Sequence, residues 1–252
     1  PNLCTMLARA GFYVIRFDNR DAGRSSAGRG RVTRRQLVRA FAGLPTFAPY
    51  SIDDMASDTL ALLDHLGLDS AHVAGVSMGG MIAQTMAIAA PDRVRSLTSI
   101  MSTTGKRTVG WQHPTLLRNL VGRSRGREGY ITASVAIWNR IGSPAYPFDM
   151  EDTLRRAGET YDRGVSMAGQ MRQMTAILTQ PDRGPRLRGL RVPTLVVHGL
   201  ADKMVHVSGG RATAAAVPNA ELLLIDGMGH DLPEQLFETF TGAIRRNSDR
   251  AD

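Results

Sequence analysis

Gly75-Val76-Ser77-Met78-Gly79 sets a serine within a glycine-flanked pentapeptide. The run Ala71-His72-Val73-Ala74 precedes it, and the helix-forming run Met81–Ala87 follows. Strand, sharp turn and helix, with serine at the apex, make the G-x-S-x-G nucleophile elbow in its required context. The turn is expected to strain the backbone of Ser77. Glycines are expected on either side because a Cβ there would collide with the neighbouring strand or helix. The hydroxyl is thereby lifted clear of the sheet. The first N–H groups of the new helix lie beside it, where they can stabilise an oxyanion. The plain alternative is a glycine-rich strand–helix turn with no chemistry.

A serine hydroxyl is a poor nucleophile at neutral pH. It needs a base within hydrogen-bond reach, and that base needs a carboxylate to orient it. The chain holds six histidines. His65 falls late in a predicted helix. His72 begins the strand leading to Ser77, at the far end from any chemistry. His113 stands beside Pro114 and reads as surface, and His198, near a strand end, reads as packed or hydrogen-bonded. His206 follows a strand in a loop and stays open as a candidate. His230 is preferred: it lies in Gly227-Met228-Gly229-His230-Asp231, after the last predicted strand, in a loop that can carry it over the sheet's edge. For the carboxylate, Asp202 in Gly199-Leu200-Ala201-Asp202 projects from a strand end in the same way. Asp226 competes, but its closeness to His230 suits a turn, and Asp231 suits a cap on the next helix.

The elements that must position these residues alternate. A helix end at Leu3–Ala10 is stopped by Gly11, and Phe12–Phe17 reads as a strand. Ser51 starts a helix as its N-cap, and Gly67 ends it. Strands follow at 71–77, Val94–Met101, Pro193–His198 and Glu221–Ile225. Helices are expected at 79–90, near Gly210–Val217 and from Pro233 to Arg246. This alternation predicts an α/β fold: a mostly parallel sheet with helices on both faces. Residues 103–188 lack strand signals, and Tyr130–Arg140, Met150–Gly158 and Val165–Leu178 read as helices. The expected organisation is a core of 1–102 and 189–252, with 103–188 a helical cap insertion over the strands' C-terminal ends. Trp111, Trp138, Phe148, Met167, Met171 and Met174 either line an apolar pocket there or hold the cap helices together.

The 252 residues carry a net charge of +8, and only Lys106 and Lys203 are lysine. Arginines crowd Arg24–Arg39 and Arg118–Arg127 without the aromatic interleaving of a nucleic-acid motif, so they read as solvated, and no nucleic-acid partner is expected. One cysteine, Cys4, excludes an internal disulfide and suits a reducing, cytoplasmic setting. No run approaches the roughly 18 apolar residues of a membrane span.

The elbow, Gly199–Val205 and Gly227–His230 resemble, in order, the three motif regions of the α/β-hydrolase superfamily. Arg16–Ser25 resembles the loop after that family's fourth strand, and the chain is similar in particular to the aclacinomycin methylesterase-like serine esterases. The resemblance covers most of 1–101 and 190–246. It implies Ser77 as nucleophile, Asp202 as orienting acid, His230 as base and then acid, and the Met78 N–H as one oxyanion donor. It implies acyl transfer through an acyl-enzyme with no metal or organic cofactor, on a small or medium ester-like substrate. The same triad serves lactonases, thioesterases, C–C hydrolases and perhydrolases, and a hydrolase scaffold can also bind a ligand without turning it over. Family members carry three strands before the one at Phe12–Phe17. The third lies between it and 71–77 and ends in a loop that gives the second oxyanion N–H. The chain lacks these strands, so it is expected to be N-terminally incomplete and, taken alone, unstable and weakly active.

Overall fold

Four strands form one parallel sheet in chain order: β1 (Ala71–Val76), β2 (Val94–Ile100), β3 (Thr194–Gly199) and β4 (Glu221–Ile225). The computed structural model describes residues 2–119 and 126–251. Its helices are α1 (Asn2–Arg9), α2 (Arg34–Phe41), α3 (Ile52–His65), α4 (Met78–Ala89), α5 (Gly126–Ile141), α6 (Met150–Arg163), α7 (Met167–Thr179), α8 (Gly184–Leu187), α9 (Ser208–Ala216) and α10 (Phe237–Asp249). Between β2 and β3 the described residues hold α5 to α8 and no strand.

Every residue of β3 is buried, as a Val/Leu-rich strand covered on both faces must be. On one face α3 and α4 pack Met55, Leu63, Met81 and Met86 around Leu97. On the other, α1 and α10 bring Leu3, Met6, Phe237 and Phe240 against Ile100, Leu195 and Val197. The pairs Val76–Ile100, Ile100–Val197 and Gly199–Ile225 keep the C-terminal ends of the strands level. The turns that follow β1, β3 and β4 therefore emerge along one edge. Those are the turns carrying Ser77, Asp202 and His230.

Local signals hold for most elements. Ser51 caps α3 through a capping box with Asp54, and Gly67 follows with φ 66°. Two expectations are corrected, and one helix comes without an expectation. Phe12–Phe17 is not a strand. It pairs with no strand among the described residues, and Tyr13 is 91% exposed. β-branched and aromatic residues favour the extended backbone, but a strand exists only where a neighbour takes its hydrogen bonds. The added helix is α2, where the arginines of Arg34–Phe41 mask a short amphipathic pattern. Its start is written in a capping box, Thr33 with Gln36. The second correction is Asp231, which does not cap a helix: it accepts the Ser143 hydroxyl, and Pro233 precedes the next helical turn.

The arginines of the Arg24–Arg39 cluster are exposed. Most of the Arg118–Arg127 cluster lies outside the described residues. No helix among the described residues is long and apolar enough to cross a membrane.

Candidate active site

Ser77 sits at the junction of β1 and α4 with φ 55° and ψ −116°. It is one of four non-glycine residues with positive φ among the described residues. Such a conformation costs on the order of 1–3 kcal/mol and persists only where the surroundings enforce it. Here both sides of the residue are held. Its N–H donates to the Ile100 carbonyl at 2.8 Å, extending the ladder with β2. Its own carbonyl accepts from the N–H of Gly80 and Met81, which starts α4. A Cβ on Gly75 would lie 2.0 Å from the Gly79 carbonyl oxygen, so the elbow closes only on a glycine there. Gly79 differs from the expectation, because a Cβ on it would meet nothing within 4 Å. The second crowded glycine is Gly80, whose Cβ would lie 2.7 Å from that of Ser102.

The serine hydroxyl donates to His230 Nε2 at 3.1 Å, and His230 Nδ1–H donates to Asp202 Oδ2 at 2.7 Å. Ser77, His230 and Asp202, the three residues the sequence points to, thus form one hydrogen-bonded chain. The Nδ1–H tautomer follows from the carboxylate at that nitrogen and leaves Nε2 free to accept. Asp202 is fixed through Oδ1 by the Met204 and Val205 N–H groups, at 2.8 and 2.9 Å. Burial opposes its charge, but His198, His230 and the Val205 N–H together hold its carboxyl below the usual carboxylate range. The loops carrying Asp202 and His230 are laced together, since Leu200 N–H donates to the Ile225 carbonyl and Ala201 N–H to that of Met228.

The His230 loop is also held from a place the sequence does not reveal. His230 N–H donates to the Ile141 carbonyl at 2.7 Å, and Gly229 N–H donates to the Ser143 hydroxyl at 2.8 Å. The end of α5 therefore pins a loop that the glycines alone would leave free to swing. Ser143 lies 86 residues from Gly229, and no local pattern marks it.

The other histidines and acids lie elsewhere. His65 and Asp226 are exposed. His72 meets Ser96 at 2.9 Å, at the opposite end of β1. His113 bonds Thr115, and His206 bonds Ser208 while stacking on Trp111 at 4.2 Å. The backbone N–H groups of Met78 and Gly79 open α4 beside Ser77, with no carbonyl of their own helix to bond. They give the helix's N-terminal end its anion-stabilising character.

A cavity of about 340 Å³ opens at Ser77 and is mainly apolar, with Met81, Trp111, Met174 and Met204 in its wall. Of the six large side chains weighed from sequence, Trp111 and Met174 line this cavity. Trp138 and Phe148 line a separate one between α5 and α6, Met171 of α7 lines neither, and Met167 is 62% exposed. No group of three or more metal-ligating side chains occurs among the described residues.

Strand order, elbow and loop placement define a class. The chain belongs to the alpha/beta hydrolase fold family, whose model matches residues 5–235. It is 28% identical to a rhodomycin D methylesterase of Streptomyces sp. (strain C5), over 94% of this chain and 82% of that protein. It is 25% identical to a 3-oxoadipate enol-lactonase of Acinetobacter baylyi, over 85% of this chain and 71% of that protein. Among solved structures, the enol-lactonase of Burkholderia xenovorans LB400 superposes with a TM-score of 0.69 at 22% identity, covering 98% of this chain and 85% of that one.

Proposed function

We propose that the protein is a serine hydrolase that cleaves carboxylic esters through an acyl-enzyme. The observation that carries this reading is the hydrogen-bonded chain from Ser77 through His230 to Asp202, built on a strained elbow. Ser77 Oγ attacks the ester carbonyl carbon as His230 Nε2 takes its proton. The carbonyl oxygen becomes an oxyanion beside the Met78 N–H. Collapse expels the alkoxide, which takes the proton back from His230. A water then repeats the sequence on the acyl-enzyme, with His230 as base, and frees the acid. Asp202 holds the imidazole in its working tautomer and stabilises the imidazolium.

Residues 103–188 act as the cap in this proposal, since Thr103, Trp111 and Met174 supply part of the cavity wall. An apolar cavity of about 340 Å³ suits a small or medium ester with a hydrophobic body. The kinship supports an ester substrate: one relative is a methylesterase and another a lactonase, and a lactone is an ester closed into a ring.

The test is labelling with a fluorophosphonate and location of the adduct by mass spectrometry. The expected result is a single adduct on Ser77, lost in Ser77→Ala, together with turnover of part of an ester and lactone panel. A folded protein that takes no label and turns over no ester would overturn the proposal.

A further inference from the structure

His198 stands in β3, one residue before its end, with its side chain fully buried. Its Nε2 lies 2.8 Å from the Val205 carbonyl oxygen. A carbonyl only accepts, so the proton sits on Nε2 and Nδ1 keeps a lone pair. Among the described residues nothing bonds to that Nδ1. A buried polar atom without a partner is destabilising, and an apolar side chain of similar volume would not carry that cost. The packing nevertheless makes room for the ring. Gly210 of α9 lies against it so closely that a Cβ would come within 2.5 Å of Nδ1.

The same Nε2 is 3.5 Å from Asp202 Oδ2, the oxygen that accepts from His230. That is too long for a full hydrogen bond. Both side chains are wholly out of solvent, though, and an N–H dipole in so dry a place still attracts a carboxylate. Val205 couples the two. Its N–H donates to Asp202 Oδ1, and its carbonyl accepts from His198. The Asp202–Val205 turn is therefore clamped between the carboxylate and the buried imidazole.

We propose that His198 is a positioning residue for the ester-cleaving site, its Nε2–H holding the Asp202–Val205 turn so that Oδ2 stays aimed at His230. This rests on the triad proposed above. His198 acts through Asp202 and is not assigned contact with substrate.

The test compares His198→Phe, which fills the slot without a donor, with His198→Gln, whose amide N–H reaches toward the same carbonyl. The expected result is a kcat about tenfold lower in the phenylalanine variant, with the glutamine variant close to wild type. KM should stay within about twofold in both, because the substrate's binding surface is untouched. Unchanged kcat in folded His198→Phe overturns the proposal. So does equal damage in both variants, which marks a packing role only.

A second readout needs neither variant nor turnover. In wild-type protein with isotope-labelled histidine, NMR should show His198 as the neutral Nε2–H tautomer and a low-field proton on His230 Nδ1. An Nδ1–H tautomer at His198 overturns the proposal even if His198→Phe does not fold. Fluorophosphonate labelling is read on the same preparation. If Ser77 takes no label, the hydrolase reading fails, while the tautomer still decides whether His198 holds the Asp202 turn.

Discussion

Asp202 and Asp21 are both carboxylates with no side-chain exposure, and in both the hydrogen-bond partners favour the charged form against the cost of burial. Their partners differ. Asp21 accepts two hydrogen bonds from Arg172, at 2.8 and 2.6 Å, one from the Tyr50 hydroxyl at 2.6 Å and one from the Gly28 N–H at 2.8 Å. The Arg172 bonds are the main reason its pKa falls from 3.8 to about 2. Tyr50 is pushed up by burial and by the anion beside it, and Arg172 is raised as well. No group in this cluster exchanges a proton near neutral pH, because guanidinium never gives one up. The cluster works as a cross-link, tying the loop that carries Asp21 to α7. Asp202 faces imidazoles instead, and an imidazole passes protons at neutral pH. Burial and a lowered pKa mark both sites alike. Only the partner separates a fixed charge from one that can steer a reaction.

Ser77→Ala gives the largest expected effect and sets the scale. Turnover should fall by about a millionfold, as for removal of a nucleophile that acts as one unit with its base. The melting temperature should barely move, so a variant that also unfolds would weaken the contrast. Asp202→Asn comes next, with kcat down roughly ten-thousandfold, because the amide favours the wrong imidazole tautomer. Its fold should survive, since Oδ1 can still accept from Met204 and Val205.

Asp21→Asn should behave in the opposite way. It strands the Arg172 guanidinium in the interior, a loss of about 3–5 kcal/mol, which calorimetry would read as a melting point lower by about 10 °C. At a temperature where the variant is folded, kcat should stay within a few-fold of wild type. KM should change more, because Met174 of α7 lines the cavity at Ser77. A ten-thousandfold loss of kcat in a stable Asp21→Asn protein would break the comparison.

How far each carboxylate was legible in the sequence follows from what holds it. Asp202 and His230 sit in glycine-bearing turns right after strands whose Val/Leu runs are plain to read. Strand ends in a parallel sheet share an edge, so local pattern and topology together bring the pair toward Ser77. Asp21 is bound to a residue 151 positions away, and its loop carries no sign of that partner. The same reason hid Ser143. His198 reads from sequence as packed or hydrogen-bonded, which it is, but its nearness to Asp202 depends on how the turn after β3 folds back. Phe12–Phe17 fails as a strand for the reverse reason. Its local preference is strong, but among the described residues no strand pairs with it.

The smallest expected effect lies in the acid range and separates the two carboxylates once more. Asp21 has a folded pKa of about 2 against an ordinary 3.8, so the unfolded chain binds its proton first as the pH falls. Its stabilising contribution is complete above about pH 5 and is lost as the pH falls through roughly 4 to 2, amounting to about 2 kcal/mol. Denaturant melts taken across that window should show a steeper loss of stability in wild type than in Asp21→Asn, which has no carboxyl to titrate there. The shift at Asp202 has the same direction, so Asp202→Asn should remove a further part of the slope. If Asp21→Asn leaves the slope unchanged, the Arg172 cluster does not hold its charge as the geometry implies, and the division between a fixed and a working carboxylate fails at its simplest point.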